Sequence, residues 1–480
     1  MNIEEFRKRG YEVVDYIAKY YQELENFPTL SNVQPGYLSE LLPSEAPSTP
    51  EDFDVIMKDF NDKIIPGITH WQSPNYFAYF PANSSFPSIL GDMLSNMVNC
   101  IGFNWICSPA CTELETIVMD WLAKMISLPE RFLSASNGGG VIQGTASESV
   151  LVTLIAAREK KIRMHNSLNP DLLVPKFVAY CSDQTHSSVQ KAAIILRIKM
   201  HVISSKNFSM DDSLLEETIK NDIKNGLVPI FVCSTIGTTS TGGIDKVEKI
   251  AGIAKKYKLW HHVDAAYAGS ALVCPEFQYL LEGVENADSF SMNCHKWLLT
   301  NFDFSPLWIA DRSQLIKALS INPAYLENNA TSSGKVCVNE RKGKVIDYRD
   351  WQIGLGRRFR SLKFWFVARC YGVSGLQTHI RKCIDLAKLF EHFINEDPLF
   401  EVAAERTFSL VCFRVKNLGD SEHKLLNDNI NSCGVFLTHT VINNLYTLRL
   451  CVGSPWTEEN HIHKVFEIIK QETKKIKKGQ

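Results

Sequence analysis

The 480-residue chain is 45% hydrophobic and 22% charged, enough apolar side chain to bury a large core and form one big domain with smaller ones beside it. A formal net charge of −2 supplies no long-range attraction for nucleic acid or anionic lipid, so a partner must be recognised at a local site, which suits a small molecule. The longest apolar runs, such as "LVTLIAA" at 151–157, fall far short of the ~20 residues that cross a bilayer, so no membrane span is expected.

In chain order, "MNIEEFRKRGYEVVDYIAKYY" carries early acids and an i, i+3, i+4 apolar stripe. That is an amphipathic helix and not an export signal, which predicts a cytoplasmic protein. "TLSNVQPGYLSELLPSEAPSTPEDF" is a proline-punctuated linker, followed by the helical "DVIMKDFNDKIIPGI". Residues 1–85 are therefore expected to form a helical arm that packs on something else, here read as a dimerisation arm. From 86 to 375, helices such as "ELETIVMDWLAKMISL" and "SESVLVTLIAAREKKI" alternate with the β-rich runs "KFVAYCSD", "VPIFVCST", "KLWHHVDAA", "SFSMN" and "SPLWIA". The alternation predicts an α/β domain around a largely parallel sheet. From 376 to 480, strands "SLVCFRVK" and "LYTLRLCVG" and the helix "HIHKVFEIIKQETKKI" predict a smaller α+β domain, ending in a solvated basic tail.

Thirteen cysteines without an export signal read as reduced thiols. Cys107 and Cys111 are spaced to share a helix face, but no second pair or nearby histidine completes a metal set, so no metal is expected. The sequons at Asn83, Asn207 and Asn329 are chance matches without secretion.

Three stretches carry chemistry. In "NGGGVIQGTASES", 137–149, glycines allow a tight turn, and Thr145-Ala146-Ser147 opens a helix whose free N–H groups and dipole suit a phosphate. A plain glycine-rich connection is the alternative. The spacing is not G-x-G-x-x-G and no strand clearly precedes it, which disfavours a dinucleotide, and no P-loop pattern occurs anywhere. In "HHVDAAYAG", 261–269, Asp264 ends an apolar strand before small residues, at the rim where parallel sheets bind ligands. The alternative is a helix N-cap. In "SMNCHKWLLTNFD", 291–303, Lys296 lies between His295 and apolar "WLL". Partial desolvation there lowers an amine's pKa and readies it for a carbonyl, against the ordinary reading of a snorkelling surface lysine. Together, a phosphate cup, a strand-end carboxylate and an apolar-pocket lysine are what pyridoxal 5'-phosphate requires.

"HVDAAYAGSA", "NCHKWLLTNFD", "SDQTHSS", "PNYFAYFP", "GFNWICSPACTELET" and "DYRDWQIGLGRRFRSLK" closely resemble the aromatic L-amino acid decarboxylases, group II pyridoxal-phosphate enzymes, and the resemblance runs through almost the whole chain. It implies the PLP-dependent transferase fold type I, aspartate aminotransferase-like, and a homodimer with active sites at the interface. It implies Lys296 as the Schiff-base lysine, Asp264 as partner of the pyridine nitrogen, and His186 as the imidazole stacked on the ring. Ala146, Ser147 and Asn293 match phosphate contacts, and Thr239 a residue near the ring oxygen. His295 matches the histidine beside the lysine. Trp71, Tyr79, Phe80, Pro81, Ile101 and Phe103 match an aromatic side-chain pocket, part of it lent by the partner subunit. Tyr325 matches the mobile-loop tyrosine that protonates Cα after CO2 leaves.

The implied reaction is decarboxylation of an aromatic amino acid to its arylalkylamine. Relatives with Phe at the tyrosine or Asn at the histidine tend to be aldehyde synthases; this chain keeps Tyr325 and His186, so the amine is expected and the aldehyde is the runner-up. A non-catalytic protein of the same fold is the third possibility. Ala82 and Gly356 resemble the choices of indole-acting relatives and favour tryptophan, leaving phenylalanine, tyrosine and DOPA open. Between Tyr325 and Trp351 the chain is about nine residues longer than typical relatives, a polar extension of the kind that gates water and proton delivery.

Overall fold

The computed structural model describes residues 1–165, 169–321, 323–326, 336–338, 341–343 and 345–478. They divide into two compact units: residues 1–81, 385–405 and 411–480, and residues 82–384 with 406–410.

The second unit is built on a seven-stranded sheet. Its strands are β1 (Gly139–Gln143), β2 (Phe177–Ser182), β3 (Lys199–Ile203), β4 (Val228–Thr235), β5 (Trp260–Asp264), β6 (Ser289–Ser291) and β7 (Ser305–Ile309), in spatial order β1-β7-β6-β5-β4-β2-β3. Strands β2 to β6 pair in parallel, whereas β7 runs antiparallel to both β6 and β1. β1 therefore points the same way as the parallel set. Helices cover both faces, which is why the inner strands read as unbroken apolar runs and not as alternating ones. Along β2, Phe177, Ala179 and Cys181 pack with Val152, Leu154 and Ala193 on one face, while Val178 and Tyr180 pack with Leu215, Ile219 and Ile250 on the other.

Helices in this unit start where side chains can hold free N–H groups. Ser85 caps α2 (Phe86–Val98), Ser108 caps α3 (Pro109–Met125) and Thr145 caps α4 (Ala146–Met164), the first two followed directly by residues with proline at N1 or N2. The sequence expectation differs at one point: of the glycines expected to make a tight turn, Gly139 and Gly140 lie in strand β1. Met119 and Trp308 crowd Gly140 so closely that an added Cβ would lie 2.5 Å from Met119 Cε, which is why a strand here is written in glycine.

In the first unit, the N-terminal helix Ile3–Gln22 is capped by Asn2, whose Oδ1 accepts the Glu5 N–H at 2.9 Å. Strands β8 (Phe400–Thr407), β9 (Leu410–Val415), β10 (Thr438–Ile442) and β11 (Leu445–Cys451) form a sheet in order β8-β9-β11-β10, accompanied by helices Asp420–Ser432 and Glu459–Lys478. Among the described residues, no helix is long and apolar enough to cross a membrane.

One buried ion pair ties the second unit together. Arg357 donates from Nη1 to Glu115 Oε2 at 2.9 Å and from Nη2 to Oε1 at 2.7 Å, both side chains being almost wholly inaccessible. Its Nε donates to Gln352 Oε1 at 2.7 Å and its plane lies 4.7 Å from the Tyr348 ring centre. Glu115 Oε1 also accepts the Ile142 N–H of β1 at 2.8 Å. Removing one charge strands the other in a dry interior, which costs about 3–5 kcal/mol. Glu115→Gln, nearly isosteric, is expected to lose that much in a urea unfolding titration; a loss below about 1 kcal/mol would show that the pair is not truly desolvated.

Candidate active site

The candidate residues collect at one edge of the large sheet, where the strands pointing the same way end. Gly144 and Thr145 follow β1, His186 follows β2, Thr239 follows β4, Asp264 ends β5, and Asn293 to Lys296 follow β6. In an α/β sheet this carboxyl edge is where ligands bind, because loops there are free to vary over a rigid base. The short turn after β4 reaches the edge through Gly237, at φ +86°, where a Cβ would come within 2.6 Å of the Ala268 Cβ.

Asp264 is buried, and its Oδ1 accepts the Ala266 N–H at 2.9 Å. Its Oδ2 accepts no hydrogen bond among the described residues. Lys296 is half-buried on the turn Cys294–Trp297. The turn is anchored by Trp297, whose ring stacks on Tyr267 at 5.0 Å, while the Tyr267 hydroxyl bonds Ser409 Oγ at 2.7 Å. This packing is what makes the "WLL" after the lysine apolar.

Electrostatics bring His186, Lys296 and Asp264 into one neighbourhood. The His186 pKa is lowered first by burial of the ring and then by the Lys296 charge, with Asp264 pulling the other way. His186 Nδ1 accepts the Ser188 N–H at 3.2 Å, so its neutral ring carries the proton on Nε2. His295 shows the same arrangement: Nδ1 accepts the Phe304 N–H at 2.9 Å, and burial, reinforced by Lys296, pushes its pKa down to about 3.

The phosphate side fits an anion. The N–H groups of Ala146 and Ser147, in the first turn of α4, make no backbone hydrogen bond among the described residues. Asn293 is buried with its Oδ1 taken by the Ser305 hydroxyl at 2.6 Å, and its side-chain amide hydrogens meet no acceptor among the described residues. Three free donors in a helix-start setting and an unpartnered carboxylate oxygen are complementary to pyridoxal phosphate's phosphate and its protonated ring nitrogen. These residues therefore fit that cofactor.

The aromatic-pocket candidates fall on both units. Within the first, Trp71 stacks on Tyr76 at 4.7 Å and on Tyr79 at 5.8 Å, and Arg449 lies over Phe80, next in sequence to Pro81. Within the second, Gly356 is adjacent to Ile101, since an added Cβ would lie 3.6 Å from Ile101 Cγ2, and the Phe103 carbonyl accepts the Arg349 N–H. Ala82 opens this unit. Tyr325 belongs to a short turn, Ala324–Leu326, but its side chain and most of the loop extension lie outside the described residues.

Sequence reading missed several supporting residues. Asp303 Oδ2 accepts from Arg360 Nε and Nη2 at 3.0 and 2.8 Å, and this pair lies beside Gly144. Ser305, Ser289 and Ser291 were read only as strand residues. Their signal is weak: serine inside a buried strand is a satisfied polar group until its partner is known.

A family model for the pyridoxal-dependent decarboxylase conserved domain matches residues 35–416. Tryptophan decarboxylase 2 of Oryza sativa subsp. japonica is 50% identical over 489 aligned positions, covering 99% of this chain and 96% of that protein. Phenylacetaldehyde synthase of Arabidopsis thaliana is 48% identical, covering 98% and 96%. Among solved structures, Oryza sativa TDC with PLP and tryptamine superposes with a TM-score of 0.95 at 41% identity, covering 99% of each chain.

The buried imidazoles set an acid limit. Burial holds His261, His262 and His295 at about 3, 4 and 3, against the ordinary 6.5. Each binds fewer protons folded than unfolded, so its contribution is complete above pH 6.5 and is lost as pH falls towards the folded values. Unfolding free energy measured from pH 7 to 4 is expected to decline, and His295→Gln to decline less steeply. Parallel curves for the two proteins would refute the assignment.

Proposed function

The chain belongs to the pyridoxal-dependent decarboxylase family, with the fold type I architecture, and on that premise we propose that it converts L-tryptophan to tryptamine and CO2. It is a decarboxylase that uses pyridoxal phosphate, related to tryptophan and tyrosine decarboxylases. The observation that carries the reading is that Asp264, His186 and Lys296 stand at the ends of three strands on the same carboxyl edge of the sheet.

When bound, the cofactor supplies a ring that takes up the electron pair released as the substrate carboxylate leaves. Lys296 would be the residue that holds the cofactor through its aldehyde. Asp264 favours a protonated ring nitrogen, because an opposite charge alongside raises that nitrogen's pKa. His186 would cover the ring, Ala146, Ser147 and Asn293 would donate to the phosphate, and Thr239 would stand near the ring oxygen. His295, neutral and protonated on Nε2, donates to phosphate or to substrate carboxylate without adding charge. Tyr325 then hands a proton to the substrate Cα.

Tryptophan is favoured by Gly356, which leaves room beside Ile101, and by Ala82, which offers no hydroxyl to a ring OH. The names of the rice relative and the rice structure point the same way. Trp71, Tyr79, Phe80, Pro81, Ile101 and Phe103 complete the aromatic pocket in this proposal. The protein acts as a homodimer: α2 presents Phe86, Leu90, Met93, Leu94, Met97 and Val98 to solvent, with Met97 72% exposed, an apolar face that a second copy would cover. Cysteines described as free thiols suit a reducing, cytoplasmic compartment. Aldehyde synthesis is the second reading, favoured by the phenylacetaldehyde synthase relative and opposed by the retention of His186 and Tyr325.

Incubation with pyridoxal phosphate and tryptophan, phenylalanine, tyrosine or DOPA should give CO2 and amine in equal amounts, tryptamine fastest, without peroxide. Aldehyde with peroxide from the natural sequence would replace the decarboxylase reading, and a purified protein without near-visible absorbance would point to a non-catalytic relative. Tyr325→Phe is expected to divert product to aldehyde. Gly356→Ser should lower kcat/KM for tryptophan relative to tyrosine by about tenfold, the scale of a small steric change in a pocket.

A further inference from the structure

A line of hydrogen-bonding side chains runs through the sheet towards Asp264 on residues that the reaction above leaves without a role. The Trp260 indole N–H donates to Ser289 Oγ at 2.8 Å, Ser289 Oγ lies 2.8 Å from His262 Nδ1, and His262 Nε2 lies 3.2 Å from Ser291 Oγ. His262, Ser289 and Ser291 are wholly buried. In the β5–β6 ladder His262 stands opposite Ser289 and Asp264 opposite Ser291. Alternation along a strand puts all four side chains on one face of the sheet, with Ser291 beside Asp264.

The proton positions follow from counting donors. Ser289 Oγ accepts the indole hydrogen and can pass its own hydrogen to His262 Nδ1, so the imidazole donates from Nε2 to Ser291 Oγ. The hydrogen left over is then that of Ser291, next to Asp264, whose Oδ2 accepts nothing among the described residues. The reverse order would strand the Ser289 hydrogen in the dry interior, at about 1–3 kcal/mol. Burial keeps the ring neutral, with its pKa pushed down to about 4 although Asp264 pulls it up.

We propose that His262 is a positioning residue: by engaging Ser291 Oγ through Nε2 it leaves the Ser291 hydrogen for Asp264 once the cofactor is bound, a bond not formed in this structure, and so keeps that carboxylate ionised and aimed at the ring nitrogen. The proposal rests on the pyridoxal-phosphate reading. A donor to the ionised carboxylate stabilises the charged form, and the Ala266 N–H already holds Oδ1. Without the relay, Asp264 is freer to rotate or to take the proton from the ring nitrogen.

The test uses apoenzyme reconstituted with pyridoxal phosphate carrying 15N in the ring. The nitrogen chemical shift reads protonation directly, and absorbance titration reads cofactor affinity. Wild type should show a protonated nitrogen. Ser291→Ala, a small change that preserves packing, should move the shift towards neutral pyridine and weaken cofactor binding about tenfold, the loss of one hydrogen bond to a charged group. His262→Phe should do the same, and His262→Gln, which keeps an N–H near the Nε2 position, should recover most of both. In steady-state assays kcat should fall while KM changes little. If His262→Phe does not fold, Ser291→Ala decides alone. Variants with the wild-type nitrogen shift and affinity would overturn the positioning role while leaving the cofactor reading intact. Wild type that takes up no cofactor would overturn the reading beneath it.

Discussion

The ion pair between Glu115 and Arg357 is the constraint on which the candidate site depends. It joins three segments that share no local sequence: helix α3, the edge strand β1 and the 348–357 segment. Arg357 Nη2 also donates to the Ile142 carbonyl, so both the N–H and the C=O of one β1 residue are bound to the pair. β1 leads two residues later into the turn that opens α4, and the Arg357 carbonyl accepts the Gly102 N–H between Ile101 and Phe103. The turn proposed to hold the phosphate and the segment proposed to set specificity thus share one anchor. Two buried charges are costly, and they are tolerated here because Nε, Nη1 and Nη2 of the guanidinium each reach an acceptor and its face lies on the Tyr348 ring.

From that anchor, topology does the gathering. Because β7 runs antiparallel between β1 and β6, β1 regains the direction of the parallel strands, and the turn after it opens on the same edge as Asp264. The start of β7 falls at that edge too, which is how Ser305 comes to orient Asn293. An all-parallel connection would have sent the start of that strand to the opposite edge.

Much of this was legible in the sequence because the relevant signals are local. Apolar runs bounded by turns marked β2, β4, β5 and β7, and a lysine beside "WLL" or an aspartate before "AAYAG" carries its environment with it. β1 was illegible because its glycines answer to residues elsewhere in the chain, Gly140 to Met119 and Trp308 and Gly139 to Trp351. The Asp303–Arg360 pair and the serines of β6 were missed for the same reason: their meaning lies in a partner on another strand or loop. Substrate preference is the least legible layer, since in the proposed reading it turns on a single side-chain volume beside Ile101.

The histidines show how such a site keeps its charges few. His186, His262 and His295 each have Nδ1 engaged by a neighbour, respectively the Ser188 N–H, the Ser289 hydroxyl and the Phe304 N–H. Each ring therefore carries its proton on Nε2 when neutral, and burial lowers the pKa of all three. Lys296 adds to that lowering at His186 and His295, so the amine and the imidazoles do not compete for one proton. What remains are donors of fixed direction around one amine and one carboxylate. Fixed dipoles need no rearrangement when charge shifts from a carboxylate into a ring, whereas solvent or mobile ions would have to reorient first. Burial of uncharged imidazole thus serves two ends: it protects the fold above the acid range, and in the proposed reaction it keeps the imidazoles from adding charge beside Lys296 and Asp264.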